Sequence, residues 1–210
     1  MNYLHNRGKK MVAAAGAILL CGSMGLAQVG QQPSGPAGQT PGQNNPAMDS
    51  QMNSINAPGQ PSPMDKMFVK KALQGGMAEV QLGQLTLQKS NNDQVKQFAQ
   101  RMIDDHTKLG EQMKPVAQQL GVSDPDSVSK KDKSTMAKLQ ALSGPAYDEA
   151  YIRDMVKDHK QDLSDFQTEA SSGQDQTVKD AANQGSKVIA QHLQMIQQIA
   201  KDQNVNMASK

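Results

Sequence analysis

Tryptophan is absent from this 210-residue chain, and phenylalanine and tyrosine occur only three times each. Strand-rich cores draw heavily on aromatic and β-branched side chains, so this shortage argues against a sheet and for helices packed with aliphatic residues and methionine. Cysteine occurs once, at Cys21. One cysteine near the N-terminus excludes an intrachain disulfide and leaves no thiol nucleophile or thiolate cluster in the body of the chain. Long apolar runs are also missing. The longest, Met11 to Leu20, covers half of the roughly 20 residues that a membrane-spanning helix needs.

What the N-terminus does contain is an export signal. Arg7, Lys9 and Lys10 precede that apolar run, and Gly25 and Ala27 follow at the −3 and −1 positions of a cleavage site, which predicts a leader over residues 1–27 and a mature chain starting at Gln28. Leu20 stands before Cys21 where a lipidation motif wants a small residue, so acylation of Cys21 is disfavoured. Without the leader, the 22 basic residues fall by Arg7, Lys9 and Lys10 to 19, against 20 acidic ones. That near balance gives no reason to propose a nucleic-acid partner. The expected location is the periplasm or the outer membrane.

Residues 28–63 are dense in Gln, Pro, Gly, Asn and Ser and almost free of charge. Such a segment buries too little apolar surface to offset the entropy of ordering, and it reads as a tether. From Met64 the apolar spacing becomes helical, and a bundle domain is expected over 64–205. Four long helices are predicted, over 65–90, 92–119, 145–172 and 175–202. The second follows a short turn and N-cap over Asn91, Asn92 and Asp93 and closes at Leu120-Gly121; Pro115 is expected to kink its last turn. A connection from Val122 to Gly144 carries a short amphipathic helix through Met136, Leu139 and Leu142 and is long enough to travel the length of a bundle. The DQVK and DQTVK phrases at Asp93 and Asp175, at the two hairpin turns, suggest an internal duplication. Gly75-Gly76 is expected to mark close helix packing.

Chemistry concentrates in one place. The phrases RMIDDH, ending at His106, and RDMVKDH, ending at His159, repeat a Met, a branched aliphatic and an Asp-His pair. Every histidine after the leader, His106, His159 and His192, falls on the apolar stripe of its helix. Measured from the helix midpoints at roughly 1.5 Å per residue, Glu79, His106, His159 and His192 lie within about 5 Å of one height along the bundle. Three imidazoles and a carboxylate from four helices fit one divalent ion of copper, zinc or iron. Met102 and Met155, one turn away, are soft neighbours or core filler; Asp105 and Asp158 are outer partners of the ligands or members of surface ion pairs. A metal-free polar layer, hydrogen-bonded within itself and setting helix register, is the competing reading of the same four residues. No nucleophile motif, phosphate loop or HExxH pattern is present, and no catalysis is read from the sequence.

The runs GGMAEVQLGQLTLQKSNNDQVKQFAQRMIDDHTKL, YDEAYIRDMVKDHKQDLSDF and AQHLQMI resemble the exported bacterial family called domain of unknown function 4142, across most of Met64 to Ala200. The resemblance implies an all-α, ferritin-like four-helix bundle in the cell envelope and brings no established activity. Ferritin-like di-metal proteins carry a Glu on two helices and Glu-x-x-His on the others. Glu79 matches the first position, but Ile103 and Ile189 stand three before His106 and His192, and His159 replaces a clear Glu. Those departures point away from di-iron chemistry and toward at most one mononuclear site. An exported metal-binding bundle and a metal-free protein that engages an envelope protein or the cell wall are the two expectations; neither the ion nor the oligomeric state is legible.

Overall fold

The computed structural model describes residues 61–207; the predicted leader, Cys21 and nearly all of the 28–63 tether lie outside them. Five helices follow in order: α1 Pro63–Lys89, α2 Asp93–Leu120, α3 Lys130–Gln140, α4 Gly144–Ser172 and α5 Gln176–Asp202. No strand occurs among the described residues.

Local chemistry accounts for the boundaries. Ser62 and Asp65 cap α1 reciprocally, each side chain bonded to the other's backbone N–H, with Pro63 in the first turn. The Asn92 side chain accepts from Gln94 and Val95 at the start of α2. Gly121 ends that helix in the left-handed region, at φ 66°, which glycine adopts without a Cβ penalty. Asp175 caps α5 through the Val178 N–H. Pro115 falls within α2, which continues to Leu120 without a break.

The helices assemble as two hairpins, α1 with α2 and α4 with α5; α2 packs on α5 and α1 on α4 to close the square. The crossover helix α3 lies against α1 and α4. It is held there by Gln74, which donates to the Ser127 carbonyl at 2.8 Å, and by Lys89, which donates to the Gln140 and Leu142 carbonyls. This is an all-α, ferritin-like four-helix bundle with a long crossover.

Apolar side chains gather in two clusters. One centres on Phe98, Met102, Tyr151, Ile152, Met155 and Ile196, the other on Val69, Leu73, Met113, Val116, Leu120 and Val178. The glycines that bring helices close are Gly83, where a Cβ would sit 2.9 Å from the Ala99 carbonyl of α2, and Gly185, where it would meet the Phe166 ring at 2.5 Å. This corrects the expectation for Gly75-Gly76: a Cβ on Gly75 meets nothing within 4 Å, and one on Gly76 makes ordinary contact with His106. Both line a cavity instead.

Candidate metal centre

His106 of α2, His159 of α4 and His192 of α5 converge in the bundle interior, 7%, 0% and 0% exposed. Their ring centroids are 5.3 to 6.1 Å apart, and one nitrogen from each lies within 4.8 Å of the other two. Each histidine arrives there because the 3.6-residue repeat that turns Met102, Met155 or Ile189 inward turns it inward too. Phe98, two turns before His106, packs edge-on against His159 and His192 at 6.2 and 6.3 Å. On another side His106 borders a cavity of about 410 Å³, lined mainly by apolar side chains between α1, α2, α4 and α5.

The tautomers follow from the neighbours. Nδ1 of His159 lies 3.0 Å from the Met155 carbonyl, which can only accept, so Nδ1 carries the hydrogen and Nε2 the lone pair. Nε2 of His192 lies 2.8 Å from Oδ2 of Asp105, so Nε2–H donates and Nδ1 is bare. The nitrogens left over, Nε2 of His106, Nε2 of His159 and Nδ1 of His192, are all buried without a hydrogen-bond partner. Burial pushes the His106 pKa down to about 3 and that of His159 to about 4, with His192 adding to both shifts, and burial lowers His192 as well. At neutral pH the three imidazoles are uncharged, the form that binds metals.

Asp105 links the imidazole group to the surface, since it accepts from His192 and from Arg101 one turn earlier in α2. Burial raises its pKa, but the hydrogen bonds from His192 and Arg101 outweigh that and hold the carboxyl below its usual range. Asp158, its counterpart in the repeated phrase, pairs with Lys131 of α3 at 2.8 Å. Met102 and Met155 are fully buried in the apolar cluster around Phe98.

Glu79 is placed differently from its three companions at the same predicted height. It is 2% exposed and forms a separate group with Asp158 and Asp162 of α4, whose carboxylate oxygens lie within 4.8 Å of its own. No donor reaches either Glu79 oxygen. Burial, then Asp158 and Asp162, push its pKa well above the carboxylate range. Sequence reading missed Asp162. Its signal was the i, i+4 spacing from Asp158, which puts both on one edge of α4 beside the histidine stripe.

Fold and site together describe a ferritin-like bundle with a trio of buried, neutral imidazoles near its middle. The chain belongs to the family described as domain of unknown function (DUF4142), which matches residues 50–199. Among solved structures, the chain is similar to a DUF305 fragment from Deinococcus radiodurans: 15% identity, TM-score 0.60, covering 68% of this chain and 98% of that one. It is also similar to a DUF305 protein from Streptomyces coelicolor assigned as secreted: 10% identity, TM-score 0.60, covering 70% and 96%. At these identities the likeness speaks to the fold alone. No curated protein matches the chain.

Proposed function

We propose that this protein is an exported metal-binding bundle that holds one transition-metal ion in the cell envelope through His106, His159 and His192. The observation that carries this reading is the set of three buried imidazole nitrogens without a hydrogen-bond partner. Two of the imidazoles have their tautomers set from outside, by the Met155 carbonyl and the Asp105 carboxylate, so that the Nε2 lone pair of His159 and the Nδ1 lone pair of His192 are buried with nothing to receive them. Leaving such groups buried and unmatched is unfavourable, and one nitrogen of each imidazole lies within 4.8 Å of the other two, near enough for side-chain adjustment to bring three ligands onto one ion. A donor set of imidazoles suits copper, zinc or iron, and His192 with Asp105 forms the carboxylate–histidine arrangement that orients ligands in metal sites.

Three ligands leave a fourth position for water or an exchangeable group; Glu79, expected there from its height, is instead grouped with Asp158 and Asp162. The cavity beside His106 supplies a path for the ion. Export is supported by the leader-like N-terminus and by the Streptomyces relative assigned as secreted. Among the described residues no helix is long and apolar enough to cross a membrane.

The test is a metal analysis of protein expressed from the full chain and purified without chelator, beside a His106→Ala/His159→Ala variant. One equivalent of copper, zinc or iron in the wild type and none in the variant is expected. Absence of metal in both, with equal stability in the presence and absence of chelator, would overturn the reading in favour of a metal-free polar layer and an envelope interaction role.

A further inference from the structure

We infer that Glu79, Asp158 and Asp162 form a second cation site, separate from the imidazoles, for a hard, oxygen-preferring divalent ion of the Ca²⁺, Mg²⁺ or Mn²⁺ class. Their carboxylate oxygens converge within 4.8 Å from two helices, α1 and α4. Convergence of acids alone would mean little, because exposed acidic groups cluster on many surfaces without an ion. Glu79 is the difference. It is 2% exposed, both of its oxygens are buried, and neither meets a donor; the group that faces them is the Asp158 carboxylate, another acceptor.

Charge points the same way. The cation bonded within this group is the Lys131 ammonium, 2.8 Å from Oδ1 of Asp158, on a side chain that is 71% exposed. With its protons released to an incoming ion, the group would carry three negative charges against one positive, a deficit of two that a divalent ion would match. Asp154 adds to the negative field at Glu79, and Asp132 and Asp165 add to it at Asp162. The donor type then selects the ion: an all-oxygen set suits hard cations, which complete their shell with water, whereas the imidazole trio suits softer ones. Entry is available, because Asp162 lines the same cavity that His106 borders. The two sites would thus share one opening while differing in ligand chemistry.

Mn²⁺ is the probe, since the six-line spectrum of the free ion in electron paramagnetic resonance disappears on binding. Metal-free protein from the full chain is titrated with Mn²⁺ and then competed with Ca²⁺. One Mn²⁺ per chain, released by Ca²⁺, is expected. Loss of a directly bound oxygen should weaken binding by at least about tenfold, given that outer partners alone contribute 10–100-fold. Glu79→Gln and Asp162→Asn should both do so, and Asp162, being only half-buried, leaves a folded variant should Glu79→Gln disturb the core. His106→Ala/His159→Ala should bind Mn²⁺ like the wild type, which keeps this test distinct from the imidazole reading. No Mn²⁺ bound at millimolar concentration, or binding unchanged in both carboxylate variants, would overturn the proposal; the second result would leave adventitious surface binding only. Loss of Mn²⁺ in the histidine variant with retention in Asp162→Asn would overturn it too, by moving the ion to the imidazoles.

Discussion

Two polar clusters meet on α4, where His159 is flanked by Asp158 and Asp162, and burial drives them in opposite directions. In the imidazole cluster, removal from water lowers the pKa of all three histidines. In the carboxylate cluster, it raises Glu79 well above its usual range and Asp162 to about 7. The force is the same in both: a low-dielectric interior disfavours the charged form, which is the acid form of histidine and the base form of a carboxyl. The consequence for ligands differs. Histidine made neutral becomes a better donor to a metal, whereas a carboxyl made neutral must lose a proton before it can hold a cation.

The contrast can be broken by mutation, beginning with the largest effect. Replacing His106 and His159 by Ala should abolish transition-metal binding. With free metal at 100 times Kd, the wild type should gain about 2.7 kcal/mol of stability that the variant lacks, read from denaturant midpoints. The histidine change is the largest for binding; for stability the largest is Phe98→Ala, which removes the fully buried ring between the histidines and the Tyr151 cluster and should cost about 3–5 kcal/mol in either metal state. Asp105→Asn should lower metal affinity 10–100-fold while leaving the fold intact, because an amide can donate to Nε2 of His192 and favour the wrong tautomer. Asp158→Asn, the matching change in the repeated phrase, should leave transition-metal affinity unchanged; an equal loss in both would show that the clusters act as one site.

Acidity sharpens the comparison, because the two clusters respond to it with opposite sign. The three histidines have folded pKa values below the unfolded value near 6.5, so their contribution is fully present above that pH. It is lost as pH falls toward about 4 and 3, where His159 and His106 protonate. Asp162 works the other way: its folded pKa of about 7 lies above the unfolded 3.8, so its contribution is present below 3.8 and fades as pH rises through 7. Denaturant midpoints of metal-free protein across pH 4–9 should show the acid-side loss reduced in the histidine variant and the neutral-to-alkaline loss reduced in Asp162→Asn. The smallest expected effect is from Glu79→Gln, which removes a buried carboxyl of poor surroundings. At pH 8 in the absence of metal, its Tm should rise by about 2–4 °C, the equivalent of roughly 1 kcal/mol in a chain of this size.

Much of this was legible before any coordinates. The four long helices, their Asn92 and Gly121 boundaries and the inward histidines follow from a 3.6-residue repeat and from capping chemistry, both of which act over one or two turns. Height along a bundle was also readable, because rise per residue is constant, and it brought His106, His159 and His192 to one level. Glu79 shows where this stops. A residue's level fixes distance along the axis but not its neighbours across the square, and α1 sets Glu79 beside the acidic edge of α4.

Helix periodicity, the crossover length and the identity of the inward-facing donors therefore belong to the chain as written, since they depend on contacts a few residues apart. Which donors share a cluster, which nitrogen of each imidazole is left without a partner, and which residues cover or open the site were decided only when the helices packed. The His192 to Asp105 bond spans 87 residues of chain. Such pairings depend on the rotation of one helix against another, and that rotation is limited by positions such as Gly83 and Gly185, where the lack of a side chain lets a backbone or ring approach.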